Sequence, residues 1–147
     1  MELHDQTPAT VTTGALIVRR ILRAGQMLYA ALGPGSQPGC KAVAGYLFGL
    51  AGELAVKQMM SASGMRELSS SHRRDDPFFA HFPELKTHLA RTAQGRRWGE
   101  LRTFAEDPKL FRNWNTDMRY APTADINAEW VDGWKVSAEQ LVARMDV

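Results

Sequence analysis

Apolar and polar positions divide this chain into helical blocks separated by polar punctuation. The densest block is Gly45 to Met60, GYLFGLAGELAVKQMM, whose only charges are Glu53 and Lys57, one helical turn apart. A helix apolar on nearly every side belongs at the centre of its domain. Gly45, Gly49 and Gly52 mark one edge of it at helical spacing. Glycines so placed let another backbone approach closely, at about 1 kcal/mol of helix propensity each relative to alanine. The pattern predicts a helix opening between Pro38 and Lys41 and closing between Ser61 and Gly64.

An earlier helix is expected from about Ala15 to Leu32, capped by Thr12 or Thr13. Val18, Leu22, Gly25, Tyr29 and Leu32 share one face, with Arg19, Arg23 and Gln26 largely opposite. Gly33-Pro34-Gly35 stops it, because proline cannot continue a helix and glycine accepts left-handed dihedrals. Two long helices joined by a short connection form an antiparallel hairpin. Residues 1–12 read as a flexible tail and residues 13–147 as one helical domain.

Residues 61–80, SASGMRELSSSHRRDDPFFA, form a long polar connection of the kind that is usually functional or disordered. His81-Phe82-Pro83-Glu84 opens a third helix, with Pro83 in its first turn and Leu85 and Leu89 facing inward, and Gly95 breaks it. Trp98, Leu101 and Phe104 stripe a short fourth helix that Asp107-Pro108 ends. Phe111 and Trp114 fall in and beside an irregular stretch, NWNTDMRYAPTAD. Asp125 is expected to cap a last helix from about Ile126 to Met145, with Ile126, Trp130, Trp134, Ala138, Leu141 and Met145 buried. No segment alternates at period two for long enough to make a strand. The fold class is therefore all-α, a compact bundle of about five helices.

Composition adds little to that picture. The 147 residues are 44% hydrophobic and 23% charged, ordinary values for one globular domain. The net charge of +2 is too mild to imply nucleic acid by itself. Its distribution is uneven: Arg19, Arg20 and Arg23 cluster early, and Arg66, Arg73, Arg74, Arg91, Arg96, Arg97, Arg102 and Arg112 crowd the middle. That basic middle is the part suited to phosphates, or else a solvated surface. Cys40 stands alone, so no intramolecular disulfide forms. The polar N-terminus has no signal-peptide pattern, and the longest uncharged apolar stretch, Ala42 to Gly52, is too short for a bilayer. A cytoplasmic location is expected.

Several chemistries fail on sequence. GPGSQPG at Gly33 to Gly39 lacks the Lys-Ser/Thr ending of a phosphate loop, and no dinucleotide fingerprint follows a strand. No HExxH pattern or cysteine pair supports zinc, and no cofactor is expected. Serines 69 to 71 have no organised His and acid partner in view.

Two constellations remain. Arg74 and His81 have six residues between them. An arginine and a histidine brought to one phosphate can cleave RNA without metal, the imidazole moving a proton and the guanidinium stabilising the charge. Pro77 prevents the two from sharing one regular helix. The second is Trp114, Asp117, Arg119 and Tyr120, where an arginine beside aromatic rings can stack on a base or pair with a phosphate. Equally, Arg119 can ion-pair with Glu53 while Trp114 and Tyr120 fill core. Glu53 and Lys57 need partners if buried, and can also pair with each other.

LAGELAVKQMM (Leu50 to Met60), HFPEL (His81 to Leu85) and DMRYAP (Asp117 to Pro122) together resemble the HEPN superfamily, the higher-eukaryote and prokaryote nucleotide-binding domains. The first is similar to its second-helix signature, here Gly52-Glu53 and Val56-Lys57; the second to its His-x-x-x-Leu opening of the third helix; the third to its Arg-Tyr-Pro element before the last helix. The resemblance implies an all-α domain, often a homodimer. Some members are metal-independent ribonucleases of toxin or defence systems; others bind nucleotides or partner proteins beside a nucleotidyltransferase. The ribonuclease branch carries its Arg-polar-x-His motif late in the chain, where this sequence has Arg119-Tyr120 and no later histidine. The resemblance thus implies the non-catalytic branch, binding a nucleotide, RNA or a partner protein through Glu53, Lys57, Trp114, Asp117, Arg119 and Tyr120. Two alternatives stand beside it: a ribonuclease using Arg74 and His81, and a purely structural or interaction subunit, such as a toxin's neutralising partner.

Overall fold

A computed structural model describes residues 6–31, 40–122 and 125–145. Its helices are α1 (Gln6–Ala30), α2 (Cys40–Ala62), α3 (Glu84–Thr92), α4 (Gly99–Glu106) and α5 (Ala128–Met145), with short 3₁₀ turns at Ser70–Asp75, Pro77–Phe79, Arg96–Trp98 and Thr116–Tyr120. Among the described residues there is no strand, and the fold is an all-α bundle. No described helix is long and apolar enough to cross a membrane.

The run at Gly45–Met60 does lie at the centre. Ala44, Phe48, Ala51, Ala55, Val56 and Met60 are buried on α2, which is sandwiched between α1 and α5. Gly14 faces Gln58 while Gly25 faces Phe48, so α1 runs antiparallel to α2 and the first hairpin is the expected one. Trp134 packs at Gly45, and Met145 lies with Met59 and Ala62, so α5 runs parallel to α2. Tyr29 donates to Asp132 Oδ1 at 2.6 Å and Gln26 Nε2 donates to Glu139 at 3.0 Å, tying α1 to α5.

The glycine edge of α2 works differently from the expectation. Aromatic rings, not a backbone, fill the notches: Trp134 at Gly45, Trp114 at Gly49 and Phe111 at Gly52. A Cβ at Gly49 or Gly52 would overlap the ring seated there. Each ring buries a large apolar surface against the helix axis, which offsets the propensity lost at the glycine.

Boundaries differ in two places. α1 begins at Gln6, inside the segment read as tail; residues 1–5 lie outside the described residues, as do Leu32 and the Gly33-Pro34-Gly35 stop. The cap of α5 is Asn127, whose Oδ1 accepts from the Glu129 amide at 2.8 Å, while Asp125 sits in the preceding turn. The inward stripe is Val131, Trp134, Ser137, Ala138, Leu141 and Val142, one position round from the expected one, leaving Ile126 and Met145 half-buried and Trp130 exposed. α2 ends as expected: Gly64 takes φ 91°, and the Met65 amide reaches back to the Met60 carbonyl at 3.0 Å.

The polar connection 61–80 is ordered by burying a few of its own residues. Met65, Asp76, Pro77 and Ala80 are buried, and Asp76 organises the turn by accepting from the Leu68 amide at 2.7 Å and the Phe78 amide at 3.0 Å. Beyond it, Leu85 and Leu89 of α3 face the core as expected, and Lys86 Nζ ties α3 to the next loop through the carbonyls of Asp107 and Leu110.

Candidate functional site

Glu53 is the most constrained charged group in the fold. Only 1% of it is exposed, yet both carboxylate oxygens are used. Oε1 lies 3.0 Å from His81 Nδ1, and Oε2 accepts from the Phe82 amide at 2.7 Å. An ionised carboxylate only accepts, so Nδ1 carries the hydrogen that faces Glu53 and Nε2 is the ring nitrogen turned away from it. The His81 side chain is 56% exposed, so the pair joins a buried anion to a ring at the surface. A histidine held this way keeps a fixed tautomer and ring orientation.

Lys57, one turn along α2 from Glu53, is half-buried. Burial pushes its pKa below the ordinary lysine value, and the nearby carboxylates of Glu53 and Asp76 partly restore it. Asp76 therefore lies close to the same stretch of α2. The segment 68–82 is folded on itself by Asp76 and pinned to α2 by Glu53. The segment carries four exposed cationic or titratable side chains, His72, Arg73, Arg74 and His81. Arg73 lies over the Phe79 ring at 4.5 Å, and His72 Nδ1 is held by Ser69 Oγ at 2.9 Å. Among the described residues no hydrogen bond joins Arg74 to His81, and no group of three His, Cys, Asp or Glu side chains is placed to hold a metal ion.

The shift at Lys57 has a measurable consequence. Its folded pKa lies below the unfolded value of 10.5, so between the two the unfolded chain binds more protons and stability rises with pH. Below the folded pKa the penalty of the buried ammonium is fully present. Lys57→Met is expected to be more stable than wild type at pH 7. Urea unfolding should show the advantage shrinking as pH approaches 10.5. A Met variant less stable at pH 7 would mean that the two carboxylates outweigh burial.

Of the other expected ligand residues, Asp117, Arg119 and Tyr120 are not in contact with Glu53, and Trp114 comes near it only as a packing residue, edge-on to Phe82. Trp114 is buried at the Gly49 notch, stacked on Tyr46 with centroids 5.7 Å apart, its Nε1 donating to the Gly45 carbonyl at 3.0 Å. Gly45 lies eight residues before Glu53, about 12 Å along a helix. Asp117, Arg119 and Tyr120 are exposed on the Thr116–Tyr120 turn. Arg119 Nε donates to the Thr116 carbonyl at 3.2 Å and its guanidinium lies 5.0 Å from the Tyr120 ring centre. Glu53 is satisfied by His81 and Phe82, so the Arg119–Glu53 pair does not form. Arg119 is held instead within its own exposed turn, by the Thr116 carbonyl and the Tyr120 ring.

Asp76 was not among the residues expected to matter. Its signal was in the sequence: Asp-Pro-Phe is a turn-forming triplet in which the aspartate accepts the amide two residues on. The chain matches no family model, no curated protein and no solved structure.

Proposed function

We propose that this chain is a HEPN-like helical module that binds single-stranded RNA on the segment carrying His72, Arg73, Arg74 and His81, without cleaving it. The observation that carries the reading is the Glu53–His81 pair. A buried carboxylate used to immobilise an exposed imidazole makes a fixed polar group on the same segment as two exposed arginines, a set of groups suited to a phosphate. The order of the elements supports it as well: Glu53 and Lys57 on α2, HFPEL opening α3, and DMRYAP preceding α5 are where the resemblance puts its three motifs. Non-cleavage is the expectation because the late Arg-polar-x-His motif of the ribonuclease branch has no histidine here after Arg119, and among the described residues no hydrogen bond joins Arg74 to His81. Fluorescence anisotropy with a labelled oligoribonucleotide is expected to show binding that weakens steeply with salt, as counterion release requires. Arg73→Ala/Arg74→Ala is expected to weaken binding about tenfold or more and to flatten that salt dependence. Salt-independent binding, or none at low salt, would end the proposal.

One observation favours a second reading, an endoribonuclease. His81 meets Glu53 through Nδ1, which leaves Nε2 of an exposed ring turned away from the carboxylate, the nitrogen with which a neutral imidazole takes the 2′-hydroxyl proton as that oxygen attacks phosphorus. Cleavage in EDTA that disappears in both His81→Ala and Arg74→Ala would establish it over the binding-only reading; intact RNA would exclude it.

A further inference from the structure

The geometry points to a second ligand site, on the first turns of α5, that takes a flat ring bearing a carboxylate or phosphate group. It does not rest on the His81 segment. Trp134, which lines it, packs at Gly45, about 12 Å along α2 from Glu53. A groove of about 370 Å³ opens there between α5 and the loop after α4, lined by Trp130, Trp134, Gly133, Asn113, two cations, Lys109 and Arg112, and one carboxylate, Glu129. That volume falls within the range of small-molecule sites.

Each wall has a reason to stay where it is. Trp134 is buried, and its Nε1 donates to the Arg112 carbonyl at 2.8 Å, clamping the loop to the helix. Phe111 and Asn113 both take positive φ, 51° and 71°. This unusual backbone sends the Phe111 ring inward to Gly52 while Arg112, between them, stays outside. Trp130 leans on Trp134 at 6.2 Å between centroids and is 37% exposed, offering part of its indole to the groove. The side chains of Lys109 and Arg112 make no hydrogen bond or ion pair among the described residues, so two cations are uncommitted beside an open aromatic face.

Gly133 is the telling residue. The glycines of α2 are each explained by the ring that fills the missing Cβ, but a Cβ at Gly133 meets nothing within 4 Å. A glycine inside a helix costs about 1 kcal/mol relative to alanine. Packing gives nothing back for it here, and the space it leaves lies next to both tryptophans. A ring stacked on Trp130 uses that space, and its acidic group lies towards Lys109 and Arg112. Stacking and charge-assisted hydrogen bonding together recognise this ligand class.

The ring-plus-anion chemistry has two sources, a nucleoside monophosphate or an aromatic carboxylic acid. The test titrates the ¹⁵N-labelled full chain with AMP in one arm and indole-3-carboxylate in the other, following the Trp130 indole N–H. A saturable shift is expected in at least one arm, and which arm responds identifies the acidic group. Gly133→Leu, which fills the space without touching backbone, and Lys109→Gln/Arg112→Gln are each expected to weaken binding about tenfold. Gly133→Ala should raise the urea midpoint of unfolding, as expected of a helical glycine that serves no packing need. His81→Ala should bind like wild type, which separates this site from the RNA segment. No shift at millimolar concentrations of either probe, or equal binding by the Gly133→Leu and double-cation variants, would overturn the proposal.

Discussion

Trp114→Ala is expected to lower the unfolding free energy by about 4 kcal/mol, the upper part of the range for removing a buried tryptophan. The indole is 1% exposed and stacks on Tyr46. It meets Phe82 edge-on at 6.2 Å and occupies the notch at Gly49. Nothing adjacent is free to collapse into the space, because the neighbouring notches already hold Phe111 and Trp134. The same contact makes Gly49→Ala damaging despite its better helix propensity, since the added methyl overlaps the ring. Overpacking of that kind costs roughly 1–3 kcal/mol. The two substitutions are expected to be strongly coupled. In the Trp114→Ala background Gly49→Ala should become neutral or stabilising, and a double-mutant cycle from urea unfolding measures this. Additive effects would mean that ring and glycine do not share the space.

Glu53→Ala is expected to cost about 3 kcal/mol. It leaves the buried Phe82 amide without an acceptor and releases His81, each unmet buried group being worth roughly 1–3 kcal/mol. Glu53→Gln is the informative companion. Its amide oxygen can keep the Phe82 bond, and its NH₂ can donate to Nδ1 if the imidazole changes tautomer. Stability should fall by only about 1 kcal/mol. The ring hydrogen, however, moves to Nε2. The pair of variants therefore separates the packing role of residue 53 from its control of the imidazole. Equal losses for Ala and Gln would show that the negative charge itself holds the segment.

The helical blocks were legible because their signals are local. The apolar run at Gly45–Met60, the stop at Gly64 and the Leu85/Leu89 face depend on residues within a turn or two of one another. Which ring enters which glycine notch was not legible. Trp114 lies 65 positions after Gly49, and only tertiary packing decides that it, rather than a backbone, fills the notch. The site was half legible for the same reason. Glu53 and His81 were both singled out, but on separate grounds and with different partners proposed. Their pairing joins residues 28 apart across an irregular segment, with no periodicity to announce it. The α5 cap was misplaced because Asp125 and Asn127 carry the same capping chemistry two residues apart, and the sequence does not say which amide will be presented.

The ring-nitrogen NMR spectrum of His81, recorded with and without a single-stranded oligoribonucleotide, tests most directly whether Glu53 holds the imidazole for a phosphate. The expected result is one dominant species with hydrogen on Nδ1, and an Nε2 resonance that moves as RNA is added. A ring that averages between tautomers as a free histidine does, and that ignores the RNA, would contradict it.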